Sequence, residues 1–241
     1  MEGMLYLYKM LSLGFAYPEE ENFCMLRTIL DESGSLFPGE LRECVDGFRK
    51  SLRENTPPLD DLKSGYLAIF DIGGRISPYE SEYLKEKISR KPFEIADIAG
   101  FYNAFGFAVN EEMNSREPVD HIAVELEFMA ILSWKEEYAR RSGLTEKEEI
   151  VNEARKKFLA EHLGRWGFFF CKQIQELDSA PFYKELAKIL ELVLRQECRK
   201  YGMDPVSFEK DMARDSYGGV RDEEFTCGVQ FSEIMSSKEG I

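Results

Sequence analysis

Glu117-Pro118-Val119-Asp120-His121-Ile122-Ala123-Val124-Glu125-Leu126-Glu127-Phe128-Met129 is the stretch whose reading decides the fold. It reads as the opening of a long helix. Pro118 suits the first helical position, where a missing N–H costs nothing. Asp120 then falls in the first turn, where a carboxylate meets the positive end of the helix dipole. Arg140 and Arg141 near the far end, followed by Gly143, are the expected C-terminal chemistry. At about 100° per residue, Ile122, Leu126 and Met129 face one side and Val124, Phe128 and Ile131 the other. A helix that is apolar on almost every face is buried on most sides. His121 and Glu125, four apart, share a face and are expected to pair. Acids and an imidazole at the mouth of a buried helix call for an explanation.

Outward from this segment, helical periodicity dominates. Leu5 to Phe15 forms a first helix, ended before Pro18. Further helices are expected at Phe23–Leu30, Glu40–Leu52, Leu59–Phe70, Glu82–Ile88 and Ile95–Phe107. Residues 71–81 form a loop broken by Gly73-Gly74 and Pro78, with Tyr79 an aromatic that has no periodic partner. Asn110–Arg116 is a polar linker into the central helix. After it come a long helix from Thr145 past Cys171, which Gly164 and Gly167 can kink, and another from Pro181 toward Gly202. A last short helix is expected from Asp204-Pro205. No β alternation of useful length and no fixed-period repeat is present. The expected fold is all-α: a single globular domain of about ten helices around a buried central helix starting near Pro118. It occupies residues 1–212, with a loosely ordered C-terminal tail over 213–241.

Composition narrows the function. With 31 basic and 45 acidic residues, the formal charge is −14. That argues against a nucleic-acid ligand, because phosphate binding needs a basic face. It suits a basic partner such as an arginine-bearing peptide, although many acidic proteins are acidic for solubility alone. Five widely spaced cysteines, with no Cys-x-x-Cys, give no zinc or iron–sulfur pattern. They fit reduced thiols in a cytoplasmic setting. No apolar run reaches the roughly 20 residues of a membrane span. The N-terminus lacks a basic region and a cleavage site, so no export signal is expected.

The catalytic alternatives are thin. A metal could draw on His121 and Glu125 with His162 and Glu161. However, Glu161 and His162 are adjacent and point about 100° apart on a helix. The Glu-x-x-His pattern of di-iron bundles is also missing. No metal and no other cofactor are therefore expected. His162, among Phe158, Trp166 and Phe169, reads as a core histidine with one satisfied hydrogen bond. No serine lies in a Gly-x-Ser-x-Gly elbow, no Cys–His pair is legible, and Gly73-Gly74 has no following Gly-Lys-Ser/Thr. Glu125 and Glu127, two apart, do not share a helical face.

Glu117-Pro118-x-Asp120-His121-x-x-x-Glu125-Leu126-Glu127-Phe128-Met129 closely resembles the signature segment of the TorD/DmsD/NarJ-type chaperones, which are cytoplasmic assembly factors for molybdenum-containing reductases. The match continues elsewhere. Tyr8-x-x-Leu11-Ser12 with Phe15 and Pro18 resembles the family's first helix. Tyr66-x-x-x-Phe70 followed by Ser77-Pro78-Tyr79-Glu80-Ser81-Glu82-Tyr83 resembles its central loop. Tyr102-x-x-Phe105-Gly106 and Phe158-x-x-x-His162-Leu163-x-x-Trp166-x-x-x-Phe170 are similar to the helices before and after the signature. The resemblance covers about residues 4 to 200, and the tail beyond about 212, with Cys227-Gly228, matches nothing.

The resemblance implies a non-enzymatic chaperone, a monomer or homodimer with no stable membrane insertion. It would bind the precursor of a molybdopterin-containing reductase catalytic subunit, through its twin-arginine signal peptide or its body, and hold it for cofactor insertion before export. The expected peptide-binding residues are Tyr66, Phe70, Pro78, Tyr79, Glu80, Glu117, Pro118, Asp120 and His121, with Glu125, His162 and Trp166 as structural support. Within the signature, His121 is expected to hold the turn and Asp120 to present charge to the client's arginines. An aromatic groove would take the apolar part of the peptide. The alternatives are a metal- or nucleotide-dependent enzyme on a helical scaffold, or a helical interaction module with another client.

Overall fold

The computed structural model describes residues 2–33, 36–71, 74–83, 87–107 and 117–205. Among them lie nine α-helices: α1 (Glu2–Phe15), α2 (Glu20–Glu32), α3 (Gly39–Glu54), α4 (Leu59–Phe70), α5 (Lys87–Ala104), α6 (Ile122–Arg141), α7 (Thr145–Phe158), α8 (Gly164–Gln175) and α9 (Pro181–Tyr201). A 3-10 turn, Glu80–Tyr83, precedes α5, and a π turn, Leu159–Leu163, joins α7 to α8. No strand occurs among the described residues; Tyr79 and His121 form an isolated antiparallel bridge. The all-α expectation holds. The linker 110–116, Gly73, the helix expected beyond Pro205, Cys227 and the tail 213–241 lie outside the described residues.

Helix α6 is the axis. Ile122, Leu126, Phe128, Met129 and Leu132 are all fully buried, as its all-round apolar pattern requires. Helix α1 packs along it, α7 flanks it, and α8 and α9 pack on each other. Several stops are local chemistry. Gly143 after α6 and Gly202 after α9 take φ of 68° and 66°, the left-handed conformation that ends helices and suits glycine. Pro181 occupies the first turn of α9. At Gly167 an added Cβ would lie 2.9 Å from a Leu194 methyl, so glycine permits the close crossing of α8 and α9.

Three boundaries differ from expectation. The central helix starts at Ile122, with His121 as its cap, rather than near Pro118. Pro118 and Asp120 belong to the preceding turn, in which the His121 N–H donates to the Pro118 carbonyl at 3.0 Å. The two helices expected at Glu82–Ile88 and Ile95–Phe107 become a 3-10 turn and one helix that runs through Pro92. Proline removes one backbone bond there, and packing of Ile98 and Tyr102 into the core holds the helix together. The rod from Thr145 is interrupted by a π turn. An added Cβ on Gly164 would come within 2.4 Å of the Leu159 carbonyl oxygen, so the turn demands glycine at that point.

Candidate functional site: the loop and the mouth of the central helix

Residues 78–81 run antiparallel to residues 120–122. The Glu80 N–H donates to the Asp120 carbonyl, and the Ile122 N–H donates to the Pro78 carbonyl, both at 2.9 Å. These bonds satisfy backbone groups that a helix start would otherwise leave bare. The central loop and the signature segment, about 40 residues apart in sequence, thus form one unit.

His121 closes the mouth. Its Nδ1 accepts from the Ala123 N–H at 3.1 Å, the bond that caps α6. Its Nε2 lies 3.1 Å from the Tyr66 hydroxyl and 3.6 Å from Glu117. Burial pushes the imidazole down to about 3, so it is neutral. With Nδ1 accepting, the proton must sit on Nε2, which donates to Tyr66. The expected His121–Glu125 pair is not formed. As cap, His121 sits outside the helix, so the four-residue spacing no longer places its ring and the Glu125 carboxyl on one face.

Asp120 is also placed differently. It is 2% exposed, and one carboxylate oxygen accepts from the Ser81 hydroxyl at 2.5 Å and from the Ser81 N–H at 3.3 Å. It faces inward and ties the loop down, so it does not present charge to a partner. The reason is the turn at 118–120, which rotates Asp120 away from the first helical turn where an exposed position was expected.

Glu80, expected at the peptide surface, is 1% exposed. Its two oxygens lie 3.2 and 3.3 Å from Nδ1 of His162, and Arg165 approaches it at 3.8 Å and Glu94 at 3.4 Å. Glu125 is buried nearby and accepts from the Trp166 indole N–H at 3.3 Å. Burial, and then the neighbouring Glu80, push its carboxyl well above the usual range, so Glu125 is held as the neutral acid. Tyr66, Phe70 and Pro78 are buried as well. Tyr66 and Phe70 pack edge to face at 5.1 Å and both meet Tyr183. They are the aromatic wall behind the site, not an open groove.

What remains at the surface is a rim. Pro118 is exposed, while Tyr79 and Glu117 are half-buried. The Tyr79 ring packs edge-on against His121 at 5.3 Å. Its hydroxyl is pushed up first by burial and then by the charges of Glu117, Asp120 and Asp71. Burial pushes Glu117 up too. A half-buried acid beside an aromatic edge suits a guanidinium, which can pair and stack at once. Sequence reasoning missed Asp71, Ser81, Glu94 and Arg165. Only Ser81, inside the Pro-Tyr-Glu-Ser segment, carried any local signal.

A separate cleft of about 750 Å³ between α2 and α3 is lined by Asp31, Asp46, Arg49 and Arg53 among others. Its charges pair with one another, Arg53 with Asp31 and Arg49 with Asp46.

The signature histidine thus caps a buried helix of an all-helical domain. The chain belongs to the nitrate reductase delta subunit family, whose pattern it matches over residues 35–172. Its relatives include the selenate reductase assembly chaperone of Thauera selenatis, 32% identical over 50% of this chain and 61% of that protein. The chlorate reductase assembly chaperone of Ideonella dechloratans is 34% identical over 55% and 68%. The perchlorate reductase assembly chaperone of Dechloromonas aromatica is 25% identical over 77% and 84%. A crystal structure from Archaeoglobus fulgidus, described as a redox enzyme maturation protein, shares the fold, with a TM-score of 0.52 at 20% identity over 80% of this chain and 94% of that one. The family resemblance read from the sequence is borne out, and the named relatives are assembly chaperones rather than catalysts.

Proposed function

We propose that this chain is a cytoplasmic assembly chaperone that binds the precursor of a molybdopterin-containing reductase subunit and holds it until its cofactor is inserted. The observation that carries this reading is membership of a family whose compared relatives serve selenate, chlorate and perchlorate reductases. The client is engaged through its twin-arginine signal peptide at the Tyr79–Glu117–Pro118 rim. The half-buried acid, the aromatic edge and the overall charge of −14 support that choice. Glu117 takes the arginine-accepting role that the buried Asp120 cannot. Residues 1–212 act as the binding domain and 213–241 as an appended tail. No helix among the described residues is long and apolar enough to cross a membrane.

The test is calorimetric titration of the purified chain with synthetic twin-arginine peptides from the reductase precursors of its source cell. One peptide is expected to bind saturably, with affinity falling when both arginines become lysines, because lysine cannot form the bidentate pair. Binding should also weaken with salt. If no such peptide binds and no reductase precursor co-purifies, the reading fails. Binding that ignores the arginines would move recognition to the body of the client.

A further inference from the structure

His162 sits on the π turn Leu159–Leu163. Single π turns inside helices recur at functional sites. The ring is fully buried and packed edge-on against Phe101 at 5.4 Å. Its Nδ1 faces both oxygens of the buried Glu80. A carboxylate only accepts, so Nδ1 carries a hydrogen, and in that tautomer Nε2 is the nitrogen open to a further partner. That Nε2 is buried with no hydrogen-bond partner. It lies 3.4 Å from Asp97 Oδ2 on α5. Asp97, Glu161 and His162 each offer a ligand atom, all within 4.8 Å of one another.

In that tautomer Nε2 lies beside acceptor carboxylates, an arrangement that a cation bound among them stabilises. We propose that Asp97, Glu161 and Nε2 of His162 form a surface site for a divalent transition cation of the zinc class, with Glu80 orienting the histidine. A buried carboxylate on the far nitrogen is the arrangement that fixes the tautomer and aim of metal-bound histidines. Two ligand atoms on a tetrahedral ion with bonds of about 2.0–2.2 Å stand about 3.4 Å apart. The His162–Asp97 separation has that value. The π turn supplies the remaining condition. Glu161 and His162 are neighbours on that turn, and their ligand atoms lie within 4.8 Å of each other and of Asp97.

The inner face of the same histidine is a poorer site. Glu80 and Glu94 also fall within ligand distance of it, but the Arg165 guanidinium lies 3.8 and 3.4 Å from them and already neutralises the pair. On the outer face the competing cation is Lys157, 3.7 Å from Glu161 and held over the Phe101 ring. The Asp97 and Glu161 side chains are 61% and 45% exposed, which leaves the remaining positions of the ion to water. Bound there, the ion would staple α5 to the α7–α8 junction. This site is independent of the peptide rim.

The experiment uses the full chain, stripped with chelator, in a Cys24→Ser, Cys44→Ser, Cys227→Ser background, which leaves only the buried Cys171 and Cys198 as thiols. It is titrated with Zn²⁺ by calorimetry and with Co²⁺ by visible absorption. One saturable equivalent is expected, with a raised Tm and a cobalt spectrum of nitrogen and oxygen ligands. Asp97→Asn and Glu161→Gln, both on exposed side chains, should each weaken binding roughly tenfold or more while leaving the metal-free Tm unchanged. No saturable equivalent, or unchanged affinity in the Asp97→Asn, Glu161→Gln double variant, overturns the proposal.

Discussion

The Ser81 hydroxyl donates to the Asp120 carboxylate at 2.5 Å across 39 residues of sequence, and both side chains are sealed from solvent. This bond joins the central loop to the mouth of α6. It makes the acid of the signature segment part of the scaffold. The charged rim that a client would meet is built instead from its neighbours.

Asp120→Ala should therefore act first on stability. Bonds to a charged acceptor contribute about 1.5–3 kcal/mol, and urea denaturation of the variant should show a loss of that order. Ser81→Ala should lose about 1 kcal/mol, and the double variant should show coupling of at least about 0.5 kcal/mol. An Asp120→Ala protein with wild-type denaturation and weakened client binding would restore the opposite assignment.

Glu117→Gln reverses that pattern. The side chain is partly exposed, and its contact with His121, at 3.6 Å, is with a neutral ring. Stability should move by no more than about 0.5 kcal/mol. Affinity for a twin-arginine peptide should fall by about 3- to 30-fold, the range of one partly exposed charge-assisted pair at about 0.7–2 kcal/mol. The salt dependence of binding should shrink with it. Wild-type affinity in this variant removes Glu117 from the site.

His121 makes stability depend on pH. Its folded-state value is about 3, against about 6.5 in an unfolded chain. The folded state refuses the proton that the unfolded state takes up. The contribution is complete above about pH 6.5 and is lost as pH falls, at up to about 1.4 kcal/mol per unit, toward pH 3. Glu125, held neutral, works in the opposite direction, so the readout is a difference. His121→Asn keeps an acceptor at the cap and should flatten the stability profile between pH 6.5 and 4.5 relative to wild type. Parallel profiles would show that His121 does not carry the effect.

Arg155 is a second buried anchor. It bridges Glu136 of α6 and Glu197 of α9 from α7, and Lys200 reaches Glu136 at 3.1 Å. Arg155→Met should cost about 3–5 kcal/mol, because it leaves two buried carboxylates facing each other. Adding Glu197→Gln should recover part of the loss. A mild single-variant effect would mean that water reaches the cluster.

Gly164→Ala probes the π turn. The new Cβ would meet the Leu159 carbonyl, and backbone cannot swing aside as a side chain can. A loss of about 1–3 kcal/mol is expected by thermal unfolding, the range for overpacking. A neutral substitution would show that the rod can rewind to a regular α-helix without penalty.

The elements that read correctly from sequence are those whose signals are local. Leu59–Phe70 and the Pro181 start coincide with α4 and α9, because proline at one end and a 3.6-residue apolar period are complete within the segment. The burial of α6 followed from apolar residues on every face. The Pro92 crossing failed because a proline is ordinarily a stop, and here tertiary packing of Ile98 and Tyr102 overrode it.

Sequence by itself determined the all-helical class, the central helix and, through ordered motifs, the family. Tertiary structure alone decided the jobs of the polar residues. Asp120 and His121 are adjacent in the chain, yet one bonds Ser81 and the other Tyr66, 39 and 55 residues away. Glu80 and His162 meet across 82 residues. Whether a carboxylate faces a partner or a buried donor depends on which distant segment packs over it, and helical periodicity carries no record of that.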